Sequence, residues 1–337
     1  MQEHTVADPS TRSSVLVYAY LFSDTGQGIE IDCESASNWL MSKEDKFGAF
    51  LWLHFDNPHG ISTQWLTLLD LPTAFSEALH KERRSSRMAH SQLNLFATVN
   101  EVTYDFERRT QPEVATIWLN VKQHSLLSAW DQPLKSVKLL RQKISEGQPF
   151  HSPLALLNWL LRRQSEDMFG VLRGVAKIAN EIENSLRTNK LPKHKDLGGI
   201  RGDLVGLQRL LAPEPASLFR LITRPPKWID NEDIQSLHLS TENFSVALRD
   251  MAVLQERIKI LEDNIAARVA ERTNRSVFVL TSVTVVSLPI TVLAALFGMN
   301  IGGIPFSQDV HGFWWVVWIS VFATLSAGWL IYWKLLD

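Results

Sequence analysis

Between Arg275 and Lys334 the only formally charged side chain is Asp309. That interval contains two apolar blocks, Val277 to Phe297 and Phe313 to Trp333. About 20 helical residues, at about 1.5 Å rise each, cross a hydrocarbon core about 30 Å thick. Each block is therefore long enough to span, and the hydropathy predicts a pair of transmembrane helices with the loop Gly298 to Gly312 between them. Trp314, Trp315 and Trp318 gather at the start of the second block and Trp329, Tyr332 and Trp333 at its end, where amphipathic rings prefer the headgroup layers. Arg268, Arg272 and Arg275 precede the first block and Lys334 follows the second, whereas the loop has no Lys or Arg. The positive-inside rule then places both termini in the cytoplasm and the loop outside.

The remainder reads as water-soluble. Apolar residues make up 45% of the 337-residue chain, a globular proportion, and a formal net charge of -2 gives no basic surface for nucleic acid. Cys33 is the only cysteine, which rules out an intrachain disulfide or a CxxC site. Met1 to Arg12 is polar and lacks an apolar core, so no cleavable leader is expected. No P-loop, dinucleotide glycine fingerprint, nucleophile elbow or HExxH sequence occurs, so an enzyme is not expected.

Branched and aromatic runs predict strands over Val15 to Phe22, Gly48 to Phe55, Leu93 to Val99 and Val114 to Val121. Helices are expected around Ser62 to Leu69, Pro72 to Arg83, Leu134 to Ile144, Leu154 to Leu186 and Leu197 to Leu211. After the Pro225–Pro226 break a long helix starts near Asp230 or Asn231, with Phe244, Leu248, Met251, Leu254, Ile258, Leu261, Ile265 and Val269 as its apolar stripe. No Gly or Pro interrupts it before Pro289, and continuity with the first span would give more than about 60 residues, about 100 Å. The expected domains are an α/β cytosolic domain at 1–150, a helical region at 151–228, a stalk helix at 229–276, a first transmembrane helix at 277–297, an outer loop at 298–312, a second transmembrane helix at 313–333 and a cytoplasmic tail at 334–337.

The two spans differ in chemistry. Thr281, Ser282, Thr284, Ser287, Pro289 and Thr291 interrupt the first; large apolar and aromatic residues dominate the second. Hydroxyls can simply bond back to their own helix, but their clustering points to a pore. Two helices cannot enclose a hydrophilic path, so a pore requires several copies of the chain in a ring.

At the outer end of the first span stands Gly298-Met299-Asn300, followed by Ile301-Gly302-Gly303-Ile304-Pro305. With a very long helix before it and a second span after it, this tripeptide resembles the signature of the CorA superfamily of divalent-cation transporters. The residues that follow look like the ZntB-type zinc branch, because magnesium-selective relatives carry an aromatic and an acidic residue near there. The resemblance implies a CorA-like homopentameric funnel in a bacterial inner membrane, without a cofactor, importing Zn2+ (with Cd2+, Ni2+ or Co2+ as further cargo) by symport coupled to a proton gradient. It further implies Gly298, Met299 and Asn300 as the ion filter. Asn274, Val277, Thr284, Leu288 and Thr291 would face the pore, and Asp263 would attract cations deeper in the stalk. Their spacings suit one helix face.

The residues support a physical version of this reading. A ring of Asn300 carbonyls would accept hydrogen bonds from a cation's water shell and release it more readily than carboxylates would. Met299 should pack behind the filter, since one thioether favours softer ions. No histidine cluster suits Zn2+: His54 and His59, His80 and His90, and His194 read as surface or satisfied side chains. The loop leaves His311 and Asp309 as cation or proton contacts. Two alternatives stand beside zinc transport: a Mg2+ or Co2+ channel, and a membrane-anchored sensory or scaffolding oligomer.

Overall fold

The computed structural model describes residues 16–42, 46–56, 61–71, 87–90, 93–103, 113–188, 197–299 and 310–336. The chain divides into two compact units, 1–261 and 262–337.

The first unit is built on a seven-stranded sheet: β1 Leu16–Phe22, β2 Gly28–Ile31, β3 Phe50–Phe55, β4 Arg87–His90, β5 Leu95–Thr103, β6 Glu113–Lys122 and β7 Ser125–Trp130. Its order is β2-β1-β3-β7-β6-β5-β4. Every neighbouring pair is antiparallel except β3 with β7, which run parallel in the middle with Trp52 opposite Leu126. Strands buried on both faces read as continuous apolar runs. Phe50-Leu51-Trp52-Leu53-His54-Phe55 is such a run, and all six residues are buried.

Short helices cover one face. α1 Cys33–Met41 is N-capped by Asp32, whose carboxylate accepts from the Ser35 backbone N–H at 2.8 Å. α2 is Thr63–Leu68. Ala36, Trp65 and Leu69 pack there with Leu51, Leu53, Phe55, Trp118 and Leu127. The longer helices α3 Lys135–Ser145 and α4 Pro153–Arg187 follow the last strand. Glu101 on β5 caps α3, accepting from Lys135 N at 3.1 Å, Ser136 N at 2.9 Å and Ser136 Oγ at 2.6 Å. α4 starts on Ser152, whose Oγ accepts from Ala155 N, with Pro153 preset for the first turn. Gly26 has φ +79°, and a Cβ there would lie 2.9 Å from the Phe150 backbone nitrogen. Only glycine lets the β1–β2 turn accept the hydrogen bond from Phe150 N to Gly26 O at 2.8 Å.

α5 Leu197–Leu211 and α6 Pro213–Thr223 lead into α7, Asn231–Gly298, a single helix of 68 residues and about 102 Å. Its buried residues are Leu237, Ser240, Phe244, Ala247, Met251, Leu254, Ile258 and Leu261, at the three- and four-residue steps of one face. The stripe read from the sequence runs on through Ile265 and Val269. The structure ends it at Leu261, with Ile265 half-buried and Val269 47% exposed. Arg257 fixes α7 to α4 through a two-pronged ion pair with Glu183, Nε to Oε1 and Nη2 to Oε2 both at 2.7 Å, and a bond to Asn180.

The second unit holds the C-terminal part of α7 and α8, Gly312–Leu336, 25 residues and about 37 Å long. Among the described residues one helix, α7, is long and apolar enough to cross a membrane, with none of its most apolar window buried; α8 contributes a shorter apolar run at Gly312–Ser326. Pro289 sits inside α7, where it cannot donate to the carbonyl of Val285.

Several expectations are revised. β2, β4, β7, α1 and α6 join the elements read from the sequence, β5 runs on to Thr103, and the α/β unit turns out largely antiparallel. The helix expected at Pro72 to Arg83 lies outside the described residues.

Candidate functional site

Asp263, Asn274, Val277, Thr284, Leu288 and Thr291 all lie on the C-terminal part of α7 and all are exposed, Val277 at 55% and Leu288 at 58%. At 100° per residue they fall within an arc of about 100°, a single lane along the helix. Asn274 and Thr291 are about 26 Å apart along it. By the same geometry Arg268, Arg272 and Arg275 point to roughly the opposite side. The lane thus carries one acid, an amide, two hydroxyls and two aliphatic side chains, and the helix keeps its guanidinium groups away from it.

The hydroxyls are tied to their own helix. Thr284 Oγ1 donates to Leu280 O at 3.0 Å, Ser287 Oγ to Thr284 O at 3.1 Å and Thr291 Oγ1 to Ser287 O at 2.9 Å. Back-bonding of this kind spends the hydroxyl proton but leaves the oxygen lone pairs. Such a lane accepts hydrogen bonds, and accepting is what the water shell of a cation requires. α8 back-bonds as well, through Ser320, Thr324 and Ser326, so the habit itself does not mark a pore. What differs is the remaining surface. On α8 it is Phe313, Trp314, Trp315, Trp318 and Phe322, exposed at 55 to 76%.

Gly298 ends α7, with open space where a Cβ would stand. Met299 is 46% exposed in the single chain. Asn300 and Asp309 lie outside the described residues. His311 immediately precedes α8, and its carbonyl accepts from Trp314 N at 3.0 Å and Trp315 N at 3.3 Å. With Trp314, Trp315, Trp318, Ile319 and Phe322 it lines an apolar groove of about 740 Å³.

In the first unit, His54 is fully buried, the second of the two environments expected for it. It stacks on Tyr18 at 4.7 Å between ring centroids, and its Nδ1 lies 2.7 Å from Ser128 Oγ, which also accepts from Trp52 Nε1 at 2.8 Å. Burial pushes its pKa down to about 3, so the imidazole is neutral. Its Nε2 has no partner among the described residues. Asp233, in the first turn of α7, accepts from Ser152 Oγ at 2.7 Å, and desolvation raises its pKa. Among the described residues no three His, Cys, Asp or Glu side chains come together to hold a metal ion.

By length and composition α7 could cross a membrane, and the aromatic, apolar α8 follows it. The sequence matches the family of CorA-like Mg2+ transporter proteins over residues 47–334. The chain belongs to this family of divalent-cation transporters and is a transporter, not an enzyme. Among curated proteins it is similar to the zinc transport protein ZntB of Yersinia pseudotuberculosis, 23% identical over 317 residues that cover 93% of each chain. Among solved structures, full-length CmaX superposes with a TM-score of 0.77 at 22% identity, over 94% of this chain and 97% of that one. The CorA magnesium transporter of Methanocaldococcus jannaschii gives 0.74 at 14% identity, over 94% and 98%. These likenesses extend through the sheet as well as the long helix.

Proposed function

We propose that the chain is a Zn2+ importer of the bacterial inner membrane, working as a homopentamer with both termini in the cytoplasm. Residues 229–276 form the stalk, 277–297 the pore-lining span, 298–312 the outer loop and 313–333 a lipid-facing second span. Gly298, Met299 and Asn300 form the ion filter. Below it Thr291, Leu288, Thr284, Val277 and Asn274 line the path. Leu288 makes a hydrophobic constriction, and a ring of Asp263 raises the local cation concentration. The observation that carries this reading is the asymmetry of the two apolar helices: an acceptor lane with opposed arginines on α7, and an aromatic surface on α8. The choice of zinc is supported by the similarity to ZntB along nearly the whole of both chains.

Both spanning intervals lack acids and histidines, so a proton-coupled cycle has to run through His311, Asp309 or Asp263. Ion-resolved flux into proteoliposomes, with and without a pH gradient, tests the proposal. Zn2+ uptake should rise when the outside is acidified. If Asn300→Ala removes about 1.4 kcal/mol of hydrogen bonding to the hydrated ion, flux falls about tenfold. Wild-type rates in that variant would exclude the filter. A Mg2+ or Co2+ channel is the second reading, favoured by the superposition on the archaeal magnesium transporter. Mg2+ flux that Zn2+ does not inhibit would establish it.

A further inference from the structure

One carboxylate joins the starts of α4 and α7. Asp233, in the first turn of α7, accepts from Ser152 Oγ at 2.7 Å, and the same Oγ accepts from Ala155 N at 2.9 Å as the N-cap of α4. Asn158, 8% exposed in the second turn of α4, is held loosely beside them. Its Nδ2 stands 3.4 Å from Asp233 O and 3.5 Å from Asp233 Oδ1, at the long limit for such bonds. Its Oδ1 is buried and has no partner among the described residues. A buried acceptor left without a donor is costly, and an ionised carboxylate has no proton to give it. Of the charged groups facing Asp233, Asp230 and Glu232 on its own helix start are both acids; α4 presents the uncharged Ser152 and Asn158, and His151 lies against Gly26. Burial first, and then the two acids, push the Asp233 pKa up against the bonds from Ser152 and Asn158.

We propose that Asp233 is a proton-operated latch between α4 and α7. Ionised, it accepts from Ser152 and leaves the Asn158 oxygen unsatisfied. Protonated, it keeps the Ser152 bond on its carbonyl oxygen and donates its O–H to Asn158 Oδ1 once that amide turns over. The proton thus adds a bond and removes a part-buried charge. A carboxyl held above its ordinary value takes up a proton in the folded protein at a pH where the unfolded chain does not. The contact therefore strengthens as pH falls through that raised value and weakens as pH rises. α7 is one helix from this turn to Gly298, so the proton acts at the foot of the helix that carries the lane. An effect on ion flux rests on the path proposed along that lane; the latch itself does not.

Amide hydrogen exchange of the full-length protein, corrected for the intrinsic rate at each pH, tests this at the first turns of α4 and α7. Wild-type protection there should rise between about pH 8 and about pH 5, by up to about tenfold per pH unit. Asp233→Asn keeps the shape, cannot ionise and carries an amide that donates to Asn158 Oδ1, so its protection should stay at the acid level throughout. Asn158→Ala, which removes the acceptor, should lower the protection reached in acid. Divalent-cation flux into proteoliposomes gives the second readout, with the same pH on both faces so that no proton gradient acts. Flux should change with pH by at least about twofold in the wild type and by less in Asp233→Asn. Protection that falls on acidification of the wild type, or a wild-type pH profile in Asp233→Asn, overturns the latch.

Discussion

Trp52 and Trp318 are the same side chain in opposite circumstances. Trp52 is 0% exposed, in β3 at the centre of the sheet, with its Nε1 bonded to Ser128; Trp318 is 67% exposed on α8. The contrast holds for their surroundings. In the first unit Phe22, Phe50, Phe55 and Phe244 are all buried within one chain, whereas in the second Phe278, Leu280, Leu288, Phe313 and Phe322 are all exposed. Burial of apolar surface is worth about 25 cal/mol per Å², so a chain in water does not leave so much of it open. The first unit buries these rings within one chain, and the second leaves its own exposed.

The largest test of this contrast is a pair of truncations. Trp52→Ala should cost about 3 to 5 kcal/mol of stability in the sheet unit, through lost burial and the cavity left behind. Trp318→Ala should leave the chemical-denaturation midpoint of that unit unchanged, and equal losses from both variants would break the comparison. Acid gives the next effect. His54 has a folded pKa of about 3 against an ordinary value near 6.5, so the folded state rejects a proton that the unfolded chain binds. Its contribution is complete above pH 6.5 and is lost as pH falls toward 3, by up to roughly 1.4 kcal/mol per pH unit. His54→Phe should flatten that limb in urea titrations followed by tryptophan fluorescence. The smallest effect belongs to Arg257, whose pair with Glu183 is one-third exposed on both sides. Arg257→Ala should cost about 1 kcal/mol and leave divalent-cation flux per folded protein unchanged. A change in flux would join the α4–α7 contact to transport.

Much of this architecture can be read from the residues, and the misses have causes. β1, β3 and β6 announce themselves by branched and aromatic runs. β7 does not, because Ser125 and Ser128 make Ser-Leu-Leu-Ser-Ala-Trp look like a turn; Ser128 is in the core because Trp52 and His54 both need its oxygen. β5 outlasts its apolar run because Asn100 is satisfied by Thr116 and Glu101 by the start of α3. β2 and β4 are short strands at the two edges of the sheet, where composition is least constrained. The candidate lane rests on the resemblance to the family; helical spacing is consistent with it and sets the arginines on the other side.

The parallel pairing of β3 with β7 has a consequence for manufacture. It joins strands about 75 residues apart, a slow long-range contact, yet all seven strands lie before residue 131. About 150 residues separate Trp130 from the apolar end of α7, or roughly 7 to 30 s of translation at about 5 to 20 residues per second. Chains fold as they are made, so the sheet has time to close before the ribosome releases the segment that water rejects. A variant that delays β7 would shorten that interval, and its symptom would be aggregation during synthesis rather than a changed ion preference.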